Sequence, residues 1–239
     1  MIAPSQSTEN VLDSNRPKLN WLSQIRLFQN LTDAEIDYLL RYSVLKRKTK
    51  GEHLYYPNEH ANTVFFLISG RVKVGSTFSD GKEYIKGIVQ PGEMFGEMGM
   101  VGQALRTDFA VALEDEVSIC TLNVDDFLKL IRNNAELSIK ITNAIGAKLI
   151  QVERRFESLL FKDARTRIVD IIREMALERG QVLAGGSILI SHALTHQDIA
   201  SITATSRQTV TTVLNELKEL NVINFDRKSI LVHEMKTLI

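Results

Sequence analysis

The spacing of apolar and polar residues divides this 239-residue chain into segments of different predicted structure. The first 18 residues are polar, and we expect them to form a mobile tail. Residues 31–40 carry the pattern of a capped amphipathic helix. Between residues 43 and 122, short apolar runs alternate with turn residues, which predicts a small β-roll. Its clearest strands are residues 64–70, 71–75, 83–89, 109–112 and 117–122.

A long helix is predicted over residues 125–161, with a break or bend near Asn133 and Asn134. Five apolar residues within it follow one another at spacings of 4, 3, 4 and 3, as in a coiled coil: Ile145, Leu149, Val152, Phe156 and Leu159. The segment 136–162 would be about 40 Å long at ~1.5 Å per residue, which suits the spine of a dimer. A helix that packs on its own domain is the alternative, because the pattern spans only about two heptads.

The residue pattern of the C-terminal third predicts a winged domain. Asp163 can cap a helix over residues 164–178, and a loop with paired glycines follows over residues 179–187. Closer to the C-terminus, residues 222–225 and 229–233 are apolar runs on either side of a polar turn, which predicts a two-stranded wing.

Two short amphipathic helices joined by a tight turn are predicted between the loop and the wing. Capping pairs mark their starts, Thr195 with Asp198 and Thr205 with Gln208. The turn contains Ala204, where glycine would adopt an unusual backbone angle more easily. Such a pair is typical of a helix-turn-helix that inserts its second helix into the major groove of DNA. A small helical hairpin that only faces solvent is the alternative.

Polar side chains at the starts of these two helices are candidates for contacts with base edges or phosphates. On the first helix they are Thr195, His196 and Gln197, and on the second they are Ser206, Arg207, Gln208, Thr209 and Thr212.

Composition excludes several classes of protein. Lys and Arg number 29 and so do Asp and Glu, and residues 163–239 contain nine of each, so binding to DNA through bulk charge is excluded. The single Cys120 excludes a disulfide framework and a four-cysteine iron–sulfur cluster within one chain. The chain has no run of 18 apolar residues. We therefore expect a cytoplasmic protein with no membrane partner.

A second polar cluster lies between two predicted strands of the roll, in residues 90–107. Its glycines let backbone N–H groups approach an anion, and Arg106 offers a planar fork for phosphate oxygens. Glu97 can accept a hydrogen bond from a ribose hydroxyl, and Thr107 adds a hydroxyl group. Together they predict a pocket for a phosphorylated sugar. An ordinary surface ion pair between Glu97 and Arg106 is the alternative.

These motifs resemble those of the cAMP-receptor-protein (Crp/Fnr) family of bacterial transcription regulators. The resemblance rests on Gly92-Glu-x-x-Gly96-Glu97 with Arg106-Thr107, on the Asp80-Gly-Lys-Glu turn and on the Ser206-Arg-Gln-Thr helix. It implies an α+β fold with an N-terminal cyclic-nucleotide-binding, jelly-roll-like β-roll, a long dimerisation helix and a C-terminal winged helix-turn-helix. The expected segments are a tail (1–18), the roll with its flanking helices (19–134), the dimerisation helix and hinge (135–162) and the DNA-binding domain (163–239).

For the effector, the resemblance implies a site formed by Phe95, Gly96, Glu97, Met98, Arg106, Thr107, Val152 and Glu153. Glu97 would bind the ribose 2′-hydroxyl, while Arg106 and Thr107 would bind the cyclic phosphate. Two departures affect the choice of ligand. Val152 and Glu153 stand where cAMP-binding members offer Thr and Ser to adenine, and Asp108 stands where a small residue is usual. We expect cAMP or cGMP as an allosteric ligand, no obligatory cofactor, no haem and no iron–sulfur cluster.

For DNA, the resemblance implies that Arg207 contacts guanine and that Ser206 and Thr209 contact phosphates. Gln208 and Thr212 replace a Glu and an Arg of the cAMP-binding members. The preferred operator is therefore expected to differ at the corresponding positions.

The function expected from the resemblance is that of a homodimeric regulator that binds a palindromic operator and RNA polymerase. A ligand in the roll would reposition a hinge near residues 161–163. The alternative is a regulator that binds DNA without an effector, whose roll is a structural or protein-interaction module; Asp108 and Val152 favour it. We do not expect an enzyme, because the sequence offers no nucleophile–base pair, P-loop or metal site. His192, His196 and His233 have no ligand spacing and are expected at the surface or near DNA.

Overall fold

The computed structural model describes residues 21–22, 24–79, 81–192, 194–226 and 228–238. The predicted tail over residues 1–18 and the turn residue Asp80 lie outside this part of the chain. Contacts divide the chain into two compact units. The first contains the described residues up to Val74 together with Ile88–Gly146, and the second contains Gly75–Gly87 together with the residues from Ala147 onwards. The domain boundaries expected from the sequence stay predictions.

The first unit is built mainly from short strands. They are β1 (Val44–Lys48), β2 (His53–Tyr55), β3 (Thr63–Ser69), β4 (Val72–Thr77), β5 (Glu83–Val89), β6 (Met94–Phe95), β7 (Phe109–Ala112) and β8 (Val117–Asn123). Two four-stranded sheets result, with the orders β1-β8-β3-β6 and β2-β7-β4-β5. The far ends of β4 and β5 belong to the second unit. This arrangement confirms the predicted β-roll.

Strand β3 is buried on both faces, because its successive side chains point into two different hydrophobic clusters. Phe66 packs against Phe127 in one cluster, with ring centroids 5.2 Å apart. Phe65 packs against Tyr55 and Phe95 in the other, at 5.3 and 5.1 Å. The strand therefore connects the packing of both clusters, and its Phe65 side lies next to the candidate effector residues.

Three helices accompany the roll: α1 (Asp33–Tyr42), α2 (Val124–Arg132) and α3 (Ala135–Phe161). The predicted break at Asn133 and Asn134 is confirmed. The Asn134 side chain accepts a hydrogen bond from the Leu137 N–H (2.8 Å), which caps α3. Its amide group also donates to Glu35 of α1 (2.8 Å). The break is therefore stabilised by a cap and by a contact with another helix.

The second unit contains α4 (Ala164–Arg179), α5 (His196–Thr203) and α6 (Arg207–Glu219). Its strands are β9 (Gln181–Val182), β10 (Ile188–Ser191), β11 (Ile223–Phe225) and β12 (Ser229–Val232), in the order β11-β12-β10-β9. The two predicted wing strands are present, because β11 pairs with β12. Strands β10 and β9 extend this pair to a four-stranded sheet, so the prediction of a loop throughout residues 179–187 is wrong. Strand β10 pairs with the whole of β12, and β9 pairs with β10. Both added strands are too short for their periodicity to identify them.

The cap predicted for α5 is confirmed, whereas the cap predicted for α6 is wrong. Thr195 and Asp198 form a reciprocal capping box. Helix α6 begins one residue later than predicted. Ser206, not Thr205, is its cap and accepts a hydrogen bond from the N–H of Thr209, the third residue of the helix (2.9 Å). Thr205 still belongs to the preceding turn, because its N–H bonds to a carbonyl of α5 (3.0 Å).

The turn between α5 and α6 requires a left-handed residue, and Ala204 adopts this conformation with φ 49° and ψ 51°. A residue with a Cβ atom is disfavoured there by about 1–2 kcal/mol. We expect Ala204→Gly to raise the free energy of unfolding by about 0.5–1 kcal/mol, since glycine also adds some entropy to the unfolded chain. Urea unfolding followed by far-UV circular dichroism measures this change.

Ala200→Gly is the control for this prediction, because Ala200 lies in the right-handed helix α5 and is fully buried. Glycine at that position should lower the free energy of unfolding by about 1 kcal/mol or more. If both substitutions destabilise the protein equally, the left-handed turn does not limit its stability.

Candidate effector pocket and DNA-binding surface

Arg106 is a buried residue of the first unit, with only 4% of its surface exposed. Its Nη2 atom donates to the carbonyl of Thr63 (2.6 Å) and its Nη1 atom donates to the carbonyl of Gly96 (3.3 Å). The guanidinium carbon lies 4.0 Å from the centre of the Tyr55 ring and 5.3 Å from that of Phe65. Arg106 is therefore fixed by backbone and aromatic groups, and it is not the surface residue that the ion-pair alternative requires.

The residues before Arg106 in sequence approach it closely. Gly96 has φ 68° and precedes a 3-10 turn, Glu97–Val101. A Cβ atom on Gly96 would lie 2.9 Å from Nη1 of Arg106 and 2.9 Å from the Phe65 ring, so the approach requires glycine. Phe95 is buried, Glu97 is half-buried, and Met98 is exposed. Thr107 is exposed and accepts a hydrogen bond from Gln103 (3.1 Å).

Several ionisable groups influence the pKa of Arg106. Burial lowers its pKa, whereas Tyr55, Asp108, Glu59 and Glu97 act in the opposite direction. Burial is also the main cause that raises the pKa of Tyr55, and a hydrogen bond from its hydroxyl to Asp108 contributes. The side chain that sequence reasoning missed here is Tyr55. Only the pairing of β2 with β7, which places Tyr55 opposite Ala110, brings it to Arg106.

Val152 and Glu153, the two remaining candidate effector residues, lie on α3 in the second unit and are exposed. Their role in binding the base of a nucleotide stays a prediction.

Helix α6 presents a polar face and buries an apolar one. Val210, Val213, Leu214 and Leu217 are buried. The candidate DNA-binding residues Ser206, Arg207, Gln208 and Thr212 are exposed, and Thr209 is half-buried. The polar face is therefore free of the packing that fixes the helix in its domain.

A cleft of about 510 Å³ runs along this face, and the start of α4 lines its other side. Its lining consists of Asp163, Ala164, Arg165, Ser206, Gln208, Thr209, Thr212, Val213 and Glu216. Arg165 and Glu216, 4.0 Å apart at Nε and Oε2, were missed by sequence reasoning. Glu216 follows Thr212 by four residues, a spacing that places both on one helix face. Nothing in the sequence around Arg165 indicates that it lies there.

The start of α5 holds the other candidate DNA-binding residues. The Thr195 hydroxyl caps the helix: it donates to the Asp198 carboxylate (2.7 Å) and accepts from the Asp198 N–H (3.1 Å). Gln197 is exposed.

The ring of His196 bonds to α6. Its Nδ1 atom lies 3.0 Å from the Thr211 hydroxyl, which donates its own proton to the Arg207 carbonyl (2.9 Å). The Thr211 oxygen therefore accepts from Nδ1–H, which leaves Nε2 as the nitrogen that titrates. Burial, followed by the charge of Arg207, lowers the pKa of His196.

The described residues contain no group of three or more His, Cys, Asp or Glu side chains arranged to hold a metal ion. Among the helices of the described chain, none is sufficiently long and apolar to cross a membrane.

Comparison with known proteins identifies the class of protein that this fold and these sites define. Residues 45–134 match the cyclic nucleotide-binding domain, and residues 166–239 match the Crp-like helix-turn-helix domain. The chain is 25% identical to the CRP-like cAMP-activated global transcriptional regulator of Mycobacterium tuberculosis, over 91% of this chain and 96% of the relative. It is 27% identical to the cyclic AMP receptor protein of Thermus thermophilus, over 89% of this chain and 94% of the relative.

The fold is similar to that of a CooA mutant from Carboxydothermus hydrogenoformans, with a TM-score of 0.71, 25% identity and coverage of 90% of this chain and 97% of that chain. The chain belongs to the Crp/Fnr family of transcription regulators. The expected α+β fold with a β-roll, a long helix and a winged helix-turn-helix is confirmed. Its relatives are regulators, not enzymes, as expected.

Acidification should destabilise the folded protein through His196. Because the pKa of the folded group is lowered, the unfolded chain binds more protons once the pH falls below the ordinary histidine pKa of about 6.5. Stability contributed by neutral His196 is therefore present above that pH and is lost below it. We expect His196→Asn to flatten the fall in unfolding free energy between about pH 7 and 5, measured by urea unfolding.

Thr211→Val provides the control, because it removes the hydrogen bond but keeps the half-buried imidazole ring. This variant should retain the pH dependence of the wild type. If the unfolding free energy of His196→Asn falls with pH as steeply as that of the wild type, other groups cause the pH dependence.

Proposed function

We propose that this regulator works as a homodimer that binds a palindromic operator, and that a cyclic nucleotide in the β-roll controls its affinity for DNA. The observation that carries the proposal is the exposed polar face of α6, where Arg207 and Gln208 are free of the core. We expect the protein to act in the cytoplasm and to contact RNA polymerase, as regulators at promoters do. The absence of haem and of an iron–sulfur cluster stays a prediction.

The exposed apolar seam of α3 supports the dimer. Leu149, Val152, Phe156 and Leu159 are exposed although they are apolar, and Ile145 is half-buried. Four large apolar side chains on one helix face in water are unfavourable, and a second copy of the helix would bury them by coiled-coil packing.

A dimer also explains how a neutral chain can bind DNA specifically. Two copies of α6 would enter successive major grooves about 34 Å apart, so both half-sites contribute to one binding event. Base contacts by a few residues then replace the bulk charge that the composition lacks.

The operator preference would depend on three residues of α6. Arg207 can bond two acceptors of guanine in the major groove. Gln208 can bond two atoms of adenine, which a glutamate in its place could not do. Thr212 is too short to provide the second forked contact that an arginine would make. We therefore infer a half-site that contains the guanine but differs in its neighbouring positions.

Effector control is supported by the match to the cyclic nucleotide-binding domain and by the positioned fork of Arg106. The Mycobacterium tuberculosis relative carries cAMP activation in its name. A second candidate is a regulator that binds DNA without an effector. The hydrogen bond between Tyr55 and Asp108 favours it, because it places a carboxylate of the protein near Arg106.

Arg207→Ala should abolish specific operator binding. Loss of a forked contact with guanine costs about 1–3 kcal/mol per half-site, and two half-sites are affected together. Operators selected from random DNA with the wild-type protein provide the probe, and fluorescence anisotropy measures the affinity at fixed salt concentration.

Lys218→Ala is the matched control, because it removes the same charge from the same helix eleven residues away, or about 16 Å at ~1.5 Å per residue. This variant should keep the wild-type sequence preference. An unchanged preference in Arg207→Ala would refute the role of Arg207.

Phe156→Gln should shift the protein from dimer to monomer, because it places a polar group in the proposed seam. Sedimentation equilibrium measures the dissociation constant, which we expect to rise at least tenfold, or about 1.4 kcal/mol. Ile139→Gln is the matched control: Ile139 lies on the same helix, outside the seam, and is 62% exposed against 61% for Phe156. Equal effects of both substitutions would contradict the seam.

A further inference from the structure

The candidate effector pocket contains an anion of its own. Asp108 follows directly after the Arg106-Thr107 pair in sequence, and its carboxylate accepts a hydrogen bond from Tyr55. The Tyr55 ring in turn lies against the guanidinium group of Arg106 (4.0 Å). These three side chains form a chain of contacts in which the acid is connected to the arginine through the tyrosine.

The fold restricts where the Asp108 carboxylate can move. Tyr55 is only 2% exposed, and its backbone pairs with Ala110 of β7, the strand that starts immediately after Asp108. Tyr55 is therefore fixed by the sheet, and Asp108 directly precedes the strand with which Tyr55 pairs. The hydrogen bond to a buried hydroxyl stabilises the side chain in the inward orientation.

The charge of Asp108 affects how strongly the pocket can bind a phosphate group. The donors of Arg106 that are already bonded point at carbonyl groups, which carry no net charge. The negative charges that act on Arg106 come from Asp108, Glu59 and Glu97. A phosphate that approaches Arg106 in this partly buried environment meets attraction from the guanidinium group and repulsion from Asp108, both weakly screened.

We propose that Asp108 is a specificity-determining residue of the effector pocket, which weakens the binding of the phosphate group of a cyclic nucleotide. This inference rests on the proposed function, because it concerns the ligand of the same pocket. In the wild-type protein, cyclic nucleotides then bind only at high concentration. Neutralising Asp108 makes cyclic nucleotides bind tightly, because Arg106 is already held in place and Gly96 already lies close to it.

Isothermal titration calorimetry of the full-length protein with cAMP and with cGMP tests the proposal. Asp108→Asn keeps the shape and an oxygen that accepts from Tyr55 but removes the charge. We expect its dissociation constant for at least one of the two nucleotides to be tenfold or more below that of the wild type. Asp115→Asn, which removes a charge from the exposed segment between β7 and β8, should bind as the wild type does.

Asp108→Ser serves as a second variant if Asp108→Asn does not fold, as judged by circular dichroism, and the same gain is expected. Equal or weaker nucleotide binding by the neutral variants would overturn the proposal, and so would the absence of binding in all of them. Operator binding without nucleotide is measured in parallel. It is measured again with saturating cAMP and with saturating cGMP. Absence of specific operator binding by the wild type in all three conditions would refute the proposed function, whereas unchanged nucleotide affinity of the Asp108 variants would refute only the role of Asp108.

Discussion

The helix-turn-helix of this protein depends on the guanidinium group of Arg167. Its Nε atom donates to the carbonyl of Thr203 (2.9 Å), and Nη2 donates to that of Ala204 (3.4 Å). Carbonyl groups at the end of a helix have no partner within the helix, and a charged donor bonds them strongly. The third donor, Nη1, bonds to the carbonyl of Lys162, just before α4 (2.7 Å). One side chain of α4 thus fixes both the turn and the start of its own helix.

This constraint explains how a turn without glycine can position a recognition helix. Ala204 has no polar side chain to stabilise its left-handed conformation, so the bonds from Arg167 offset part of the strain. Helix α6 then starts on the cap of Ser206 and packs its apolar face inward. The orientation of Arg207 consequently depends on an arginine that itself lies on another helix.

Sequence patterns predicted the elements whose signals are local. The break between α2 and α3 follows from Asn134, and the start of α5 follows from Thr195 with Asp198; each is a contact over three residues. Features that depend on distant pairing could not be predicted. The strand β10 exists because β12 offers it a partner, and Tyr55 reaches Arg106 only through the pairing of β2 with β7. Thr205 and Ser206 are adjacent hydroxyl residues, and only the backbone geometry of the turn decides which of them caps α6.

The two candidate sites use arginine in opposite environments, and this difference determines what each can bind. Arg207 is exposed, so its whole fork is available to a ligand that comes to the surface, and water competes for every bond. Arg106 is buried, and two backbone carbonyls already hold its orientation. Its remaining donors act in a medium that strengthens attraction and repulsion alike. A single neighbouring carboxylate therefore matters far more at Arg106 than a comparable charge would at Arg207.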